Sequence, residues 1–177
     1  MSLQAGTYRL GPDDGTLRVR TGRSGAAAKA GHDLLIDVTS WEATVTVGDE
    51  ASVELSADAG SLRVLEGTGG IQSLGDDDKA EIHKTIVGDV LKGHPITFRS
   101  TAVEEGGDAL AVAGELTLAG ATRPLAFDVD LDGGRVRATA LVTQSEFGVK
   151  PYSTLFGALK VADEVRVELD AALPQSR

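Results

Sequence analysis

The sequence predicts an all-β, antiparallel fold carrying one amphipathic helix. Three observations predict it. Apolar residues alternate with a period of two over most of the chain, as half-buried strands require. Glycine-rich turns separate the alternating runs. A single stretch, Asp76 to Leu91, instead spaces its apolar residues four apart.

The strands follow in order. Leu17, Val19 and Thr21 share one parity; Leu34, Ile36 and Val38 share another. Trp41, Ala43, Val45 and Val47 continue with the phase flipped, so a bulge or corner is expected near Thr39 and Ser40. Val53, Leu55 and Ala57 form the next face, then Leu62 and Val64. After the helical stretch come Ile96 and Phe98, then Leu110 to Leu118, Leu125 to Leu131, Val136 to Val142 and Val165 to Ala171. Gly106-Gly107 and Gly133-Gly134 suit hairpin turns, because glycine takes positive φ without a Cβ clash. Ala119 to Pro124 reads as a further turn closed by its proline. Short strands joined in this way indicate a sandwich or a barrel.

In the helical stretch Ile82, Ile86 and Val90 form an apolar stripe that Val87 and Leu91 widen. Asp76, Asp77 and Asp78 complement the positive end of the helix dipole. Asp78 with Glu81 fits a capping box, Gly93 is a stop and Pro95 forbids continuation. Gly22 to Gly31 and Gly67 to Gly75 read as loops. With no repeat or linker, residues 1–177 read as one domain.

Composition removes several functions. The 177 residues carry 17 Lys and Arg against 27 Asp and Glu, a formal net charge of −10. Such a chain repels nucleic-acid phosphates and anionic membrane surfaces, so neither is an expected partner. It has no cysteine, which excludes thiolate catalysis and Cys-based metal sites. No apolar run reaches the roughly 20 residues of a spanning helix, so stable membrane insertion is not expected. The N-terminus, MSLQAGTYRL, lacks the basic and apolar regions of a signal peptide, and a cytoplasmic protein is expected.

Catalytic and metal motifs are sparse. His32, His83 and His94 show no ligand spacing, and His32-Asp33 reads as a loop end. Asp128, Asp130, Asp132 and Gly133 imitate a calcium loop, but Thr139 stands where its last acid belongs, and the acids alternate with Val129 and Leu131 as a wet strand face. Gly67-Thr68-Gly69-Gly70 lacks the Lys-Ser/Thr of a phosphate loop. No catalytic residue, metal or cofactor is therefore assigned. Slim inward residues such as Ala43, Ala57, Ala138 and Ala140 are compatible with a hollow barrel around an apolar ligand and equally with a packed core.

Several segments then resemble one family. Tyr8-Arg9-Leu10-Gly11-Pro12 with Thr16-Leu17-Arg18-Val19 is similar to the opening of the YceI-like, polyisoprenoid-binding family. Gly31-His32-Asp33-Leu34 sits where that family carries a histidine. His94 to Thr101, Gly114 to Leu118 with Gly120, Thr122, Arg123 and Pro124, Ser145 to Val149, and Asp163-Glu164-Val165 resemble its later segments, in order. Val90-Leu91-Lys92-Gly93 departs from the aromatic-rich segment the family often has there.

The resemblance implies a lipocalin-like barrel of about eight strands, without cofactor or catalysis, that holds an isoprenoid, prenyl quinone or fatty-acyl lipid for carriage, storage or sequestration. The expected ligand wall is Leu17, Val19, Leu34, Ile36, Trp41, Phe98, Leu116, Leu118, Phe127, Val129, Phe147 and Val167. Ile82, Ile86 and Val90 would act as a lid, and His32, Arg99 and Lys150 would meet the head group. Two alternatives stay open: an enzyme on an apolar substrate with His32 or His83 as general base, and an interaction module with a filled core. A homodimer fits such barrels, although nothing in the residues derives one.

Overall fold

The computed structural model describes residues 5–24, 33–68, 75–107, 109–149, 153–154 and 159–173. The strands are β1 (Gly6–Leu10), β2 (Gly15–Arg20), β3 (Arg23–Ser24), β4 (Asp33–Val38), β5 (Trp41–Val47), β6 (Ser52–Ala57) and β7 (Leu62–Thr68). Helix α1 (Asp76–Thr85) follows. Then come β8 (Ile96–Gly106), β9 (Ala109–Leu118), β10 (Ala121–Asp132), β11 (Arg135–Thr143), β12 (Ser153–Thr154), β13 (Leu159–Val161) and β14 (Glu164–Ala172).

The principal sheet has 11 strands in the order β1-β5-β6-β8-β9-β10-β11-β14-β2-β4-β7, and β12-β13-β3 form a second, 3-stranded sheet. Every strand pairing among the described residues is antiparallel. The expected fold class holds, but the count of about eight does not.

The phase flip explains the difference. Thr39 and Ser40 form a corner at which one ribbon bends from β4 into β5. The partner ribbon bends at Asp58 to Ser61, between β6 and β7. Thr39 N donates to Ser61 O and Asp58 N to Ser40 O, both at 3.0 Å, so the two bends are hydrogen-bonded to each other. The sheet therefore curls until its two ends meet through this corner, and each ribbon counts twice. β1 adds one more strand outside β5.

The turns separate the correct expectations from one error. Gly133 and Gly134 have φ of +61° and +79°, and Asp132 pairs directly with Arg135, a two-residue hairpin. Ala119 (φ +52°) and Gly120 (φ +84°) make a second such turn, since Leu118 pairs with Ala121. The expected longer turn ending at Pro124 is corrected: Pro124 lies inside β10, opposite Glu115. The proline is tolerated because β10 pairs with β11 only from Val129 to Asp132, so its missing N–H breaks no ladder on that side.

The helix also differs in detail. Its N-cap is Gly75, whose N–H donates to Asp78 Oδ2 at 3.0 Å, so Asp78 is the third helical residue and not the cap. After Thr85 the chain widens into a π-helical turn, Ile86–Val90, in which Leu91 N donates to Ile86 O. Lys92 and Gly93, at φ +53° and +71°, end it where a stop is expected. β3 runs through part of the first expected loop; most of both loops lies outside the described residues.

The antiparallel register puts Thr21, Ile96, the Ala119-Gly120 turn and the end of β11 at one rim of the barrel. The turn at Gly107, between the paired Gly106 and Ala109, and the Gly133-Gly134 turn lie at the other. Toward that second rim Leu110, Val112, Leu131 and Ala171 are all at most 5% exposed and form a packed floor.

Candidate functional site: an apolar cavity under the helix

Inward parity does not bury every residue equally. Val19, Leu34, Ile96, Leu118, Leu125, Phe127, Val165 and Val167 point inward yet are only partly buried. They border a void of about 590 Å³ beneath α1 and the π-helical turn. That volume lies within the range of small-molecule sites, about 300–1,000 Å³. The void runs from Thr21 and Gln144 at the rim down to Val45, Val53 and Val136 in the barrel.

Its lining is almost entirely aliphatic. Phe98 and Phe127 are the two rings among the described lining residues, with centroids 5.1 Å apart and planes tilted by 56°. Gly114 makes room for this pair: a Cβ there would overlap the Arg99 carbonyl oxygen and approach Phe98 Cζ to 2.7 Å. The polar residues among the described lining are Thr21, Glu81, Thr85 and Gln144.

The expected wall residues divide clearly. Leu17, Val19, Leu34, Ile36, Phe98, Leu116, Leu118, Phe127, Val129 and Val167 all line the void, as do Ile82, Ile86 and Val90 from the helical segment. Trp41 and Phe147 do not. Trp41 is buried where the ribbon turns, and Phe147 is buried in a 3-10 turn, Gln144–Phe147, that packs beside β10. Leu55, Ile96, Leu125, Val165 and Leu169 also line it; alternation alone places them on the same faces.

Of the expected head-group residues, Arg99 lies on the outer face. It follows Phe98 directly in β8, its side chain is 81% exposed, and Nε meets Glu54 Oε1 at 3.4 Å. Period two already implies this position, because Phe98 points inward. His32 and Lys150 lie outside the described residues.

His83 does not line the void. Its Nδ1 lies 2.6 Å from Leu62 O, so that nitrogen carries the proton and donates to β7. Arg63 Nη1 lies 3.3 Å from both ring nitrogens. This contact ties the helix to the wall. Among the described residues no cluster of three or more His, Asp or Glu could hold a metal ion. Asp128, Asp130 and Asp132 are exposed along the outer face of β10, as a wet strand face requires.

A family model for the YceI-like domain matches residues 14–173. The chain belongs to the YceI-like family. Among solved structures, Burkholderia cenocepacia BcnA is 18% identical, with 87% of this chain and 94% of that chain covered and a TM-score of 0.59. A Campylobacter jejuni YceI protein is 12% identical, with 80% and 85% covered and a TM-score of 0.57. At these identities the likeness establishes the fold of this YceI-like chain, a barrel. No curated protein matches the sequence. Among the described residues no helix is long and apolar enough to cross a membrane.

Proposed function

We propose that this YceI-like protein binds a long apolar ligand in the barrel cavity and holds it without chemical change. The ligand class is an isoprenoid, a prenyl quinone or a fatty-acyl lipid, bound for carriage, storage or sequestration. One observation carries the reading: inward-facing aliphatic side chains stay partly uncovered around a void of about 590 Å³. A protein core is ordinarily packed as densely as an organic crystal, so apolar walls around empty space are costly unless something fills them. Each methylene moved from water into that space gains about 0.8 kcal/mol. Ile82, Ile86 and Val90 close over the ligand as a lid. Membership of the family supports the same reading.

Native mass spectrometry of the purified protein, with lipid analysis of an organic extract, tests this. A stoichiometric excess mass that extraction identifies as a prenyl or acyl compound is expected. A bare polypeptide that stays bare after incubation with prenyl quinones, prenyl alcohols and fatty acids would overturn the reading.

A further inference from the structure

We infer that Gln144 and Thr21 form a polar seat at the rim of the cavity that selects an uncharged, hydroxyl-bearing head group over an anionic one. This deepens the apolar-ligand reading and rests on it. Gln144 is 8% exposed and lines a void that is otherwise almost wholly aliphatic. A primary amide in such a place is costly unless its hydrogen-bonding capacity is used. Only part of it is used within the described residues: Nε2 donates to Ala162 O at 3.1 Å. The carbonyl at Ala162 also fixes which way the amide is turned, because only the NH₂ end can face an acceptor. Oε1 is thus left as an acceptor at the cavity wall, with no hydrogen bond from any described residue.

Thr21 supplies the complementary group. Its Oγ1 accepts from Leu34 N at 3.1 Å, so the hydroxyl proton is directed elsewhere, and Thr21 lines the same void. Ala162 links the two residues. Its N–H donates to Gly22 O at 3.0 Å, next to Thr21, while its carbonyl holds Gln144. The seat is also rigid: Gln144 N donates to Asp163 O, and Ser145 N to Asp163 Oδ1, both at 2.8 Å.

An acceptor and a donor together suit a hydroxyl, which both donates and accepts. They do not suit a phosphate or carboxylate. An anion would meet the Oε1 lone pairs, and the charged group among the described lining residues is the Glu81 carboxylate. Arg23, two residues beyond Thr21, is engaged with Asp33 at 3.0 Å.

Three probes with one tail separate the possibilities: farnesol, farnesyl monophosphate and farnesene, each titrated by calorimetry into the whole protein and into Gln144→Met. Wild type is expected to bind farnesol about tenfold more tightly than farnesene, the effect of one or two buried hydrogen bonds. Farnesyl monophosphate is expected to bind more weakly than farnesol. In Gln144→Met the preference for farnesol over farnesene disappears, and thermal unfolding of the variant checks that it is folded. A variant that binds no probe leaves the wild-type ratios to decide. Equal wild-type affinities for farnesol and farnesene, or a preference for the phosphate, would overturn the seat while leaving the apolar cavity intact. Failure of all three probes to bind wild type would overturn the cavity reading and the seat with it.

Discussion

The two ends of the barrel use the same residues in opposite ways. On β10, Leu125 and Phe127 near the helix are partly uncovered, whereas Val129 and Leu131 toward the floor are 3% and 5% exposed. On β9, Leu118 is partly uncovered and Leu110 and Val112 are 2% exposed. All of these side chains point inward. The difference teaches that parity decides which residues face the interior, while the closing elements decide whether that interior is filled. At the floor, inward side chains from facing strands meet one another. At the mouth, α1 spans the gap as a roof, and none of its residues is fully buried.

The largest effect should separate the two ends directly. Leu110→Ala is expected to cost about 2–5 kcal/mol, as deletion from a packed core does. Leu118→Ala should cost about 1 kcal/mol, because that side chain already borders a void and little new cavity forms. Urea unfolding of both variants gives the comparison, and equal losses would break it. Next, Ala140→Trp should fill the mouth and weaken apolar-ligand binding about a hundredfold, near 2.7 kcal/mol, without loss of stability. Unchanged affinity in a ligand titration would mean that the tail lies elsewhere.

Gly114→Ala is expected to cost about 1–3 kcal/mol, since its methyl would meet the Arg99 carbonyl and the Phe98 ring. Thermal unfolding reads this, and a neutral result would show that β8 and β9 can part there. The smallest effect belongs to the roof. His83→Ala removes the contact to Leu62 O, worth about 0.5–1.5 kcal/mol, and should speed amide exchange in α1 while leaving β9 and β10 unchanged. Uniform acceleration across the barrel would make the helix part of the core instead of a cover.

Much of this is legible in the sequence. The strands announce themselves by period two, and the flip at Thr39-Ser40 marks the corner that closes the sheet. Gln144 carries no signal of its own beyond parity: it continues the inward row of Val136 to Val142, as Thr21 continues that of Leu17 and Val19. Arg99 stands on the outer face because parity, and not charge, sets the direction of a strand side chain. Trp41 and Phe147 lie in packed surroundings beside the cavity, since a large aromatic suits a cavity wall and a packed corner equally well. Where the hollow lies was not legible at all. Leu110 and Leu118 sit in the same alternating run, and only the helix placed over one end distinguishes them.

The central claim is that the mouth is hollow and takes an apolar tail while the floor does not. Methyl NMR of isotope-labelled Leu and Val, titrated with farnesol, tests it most directly. Saturable shifts at Val19, Leu118, Leu125 and Val167, with Leu110 and Leu131 unmoved, are the expected result. Shifts confined to the exposed Leu65 and Leu141, or no shifts, would contradict it.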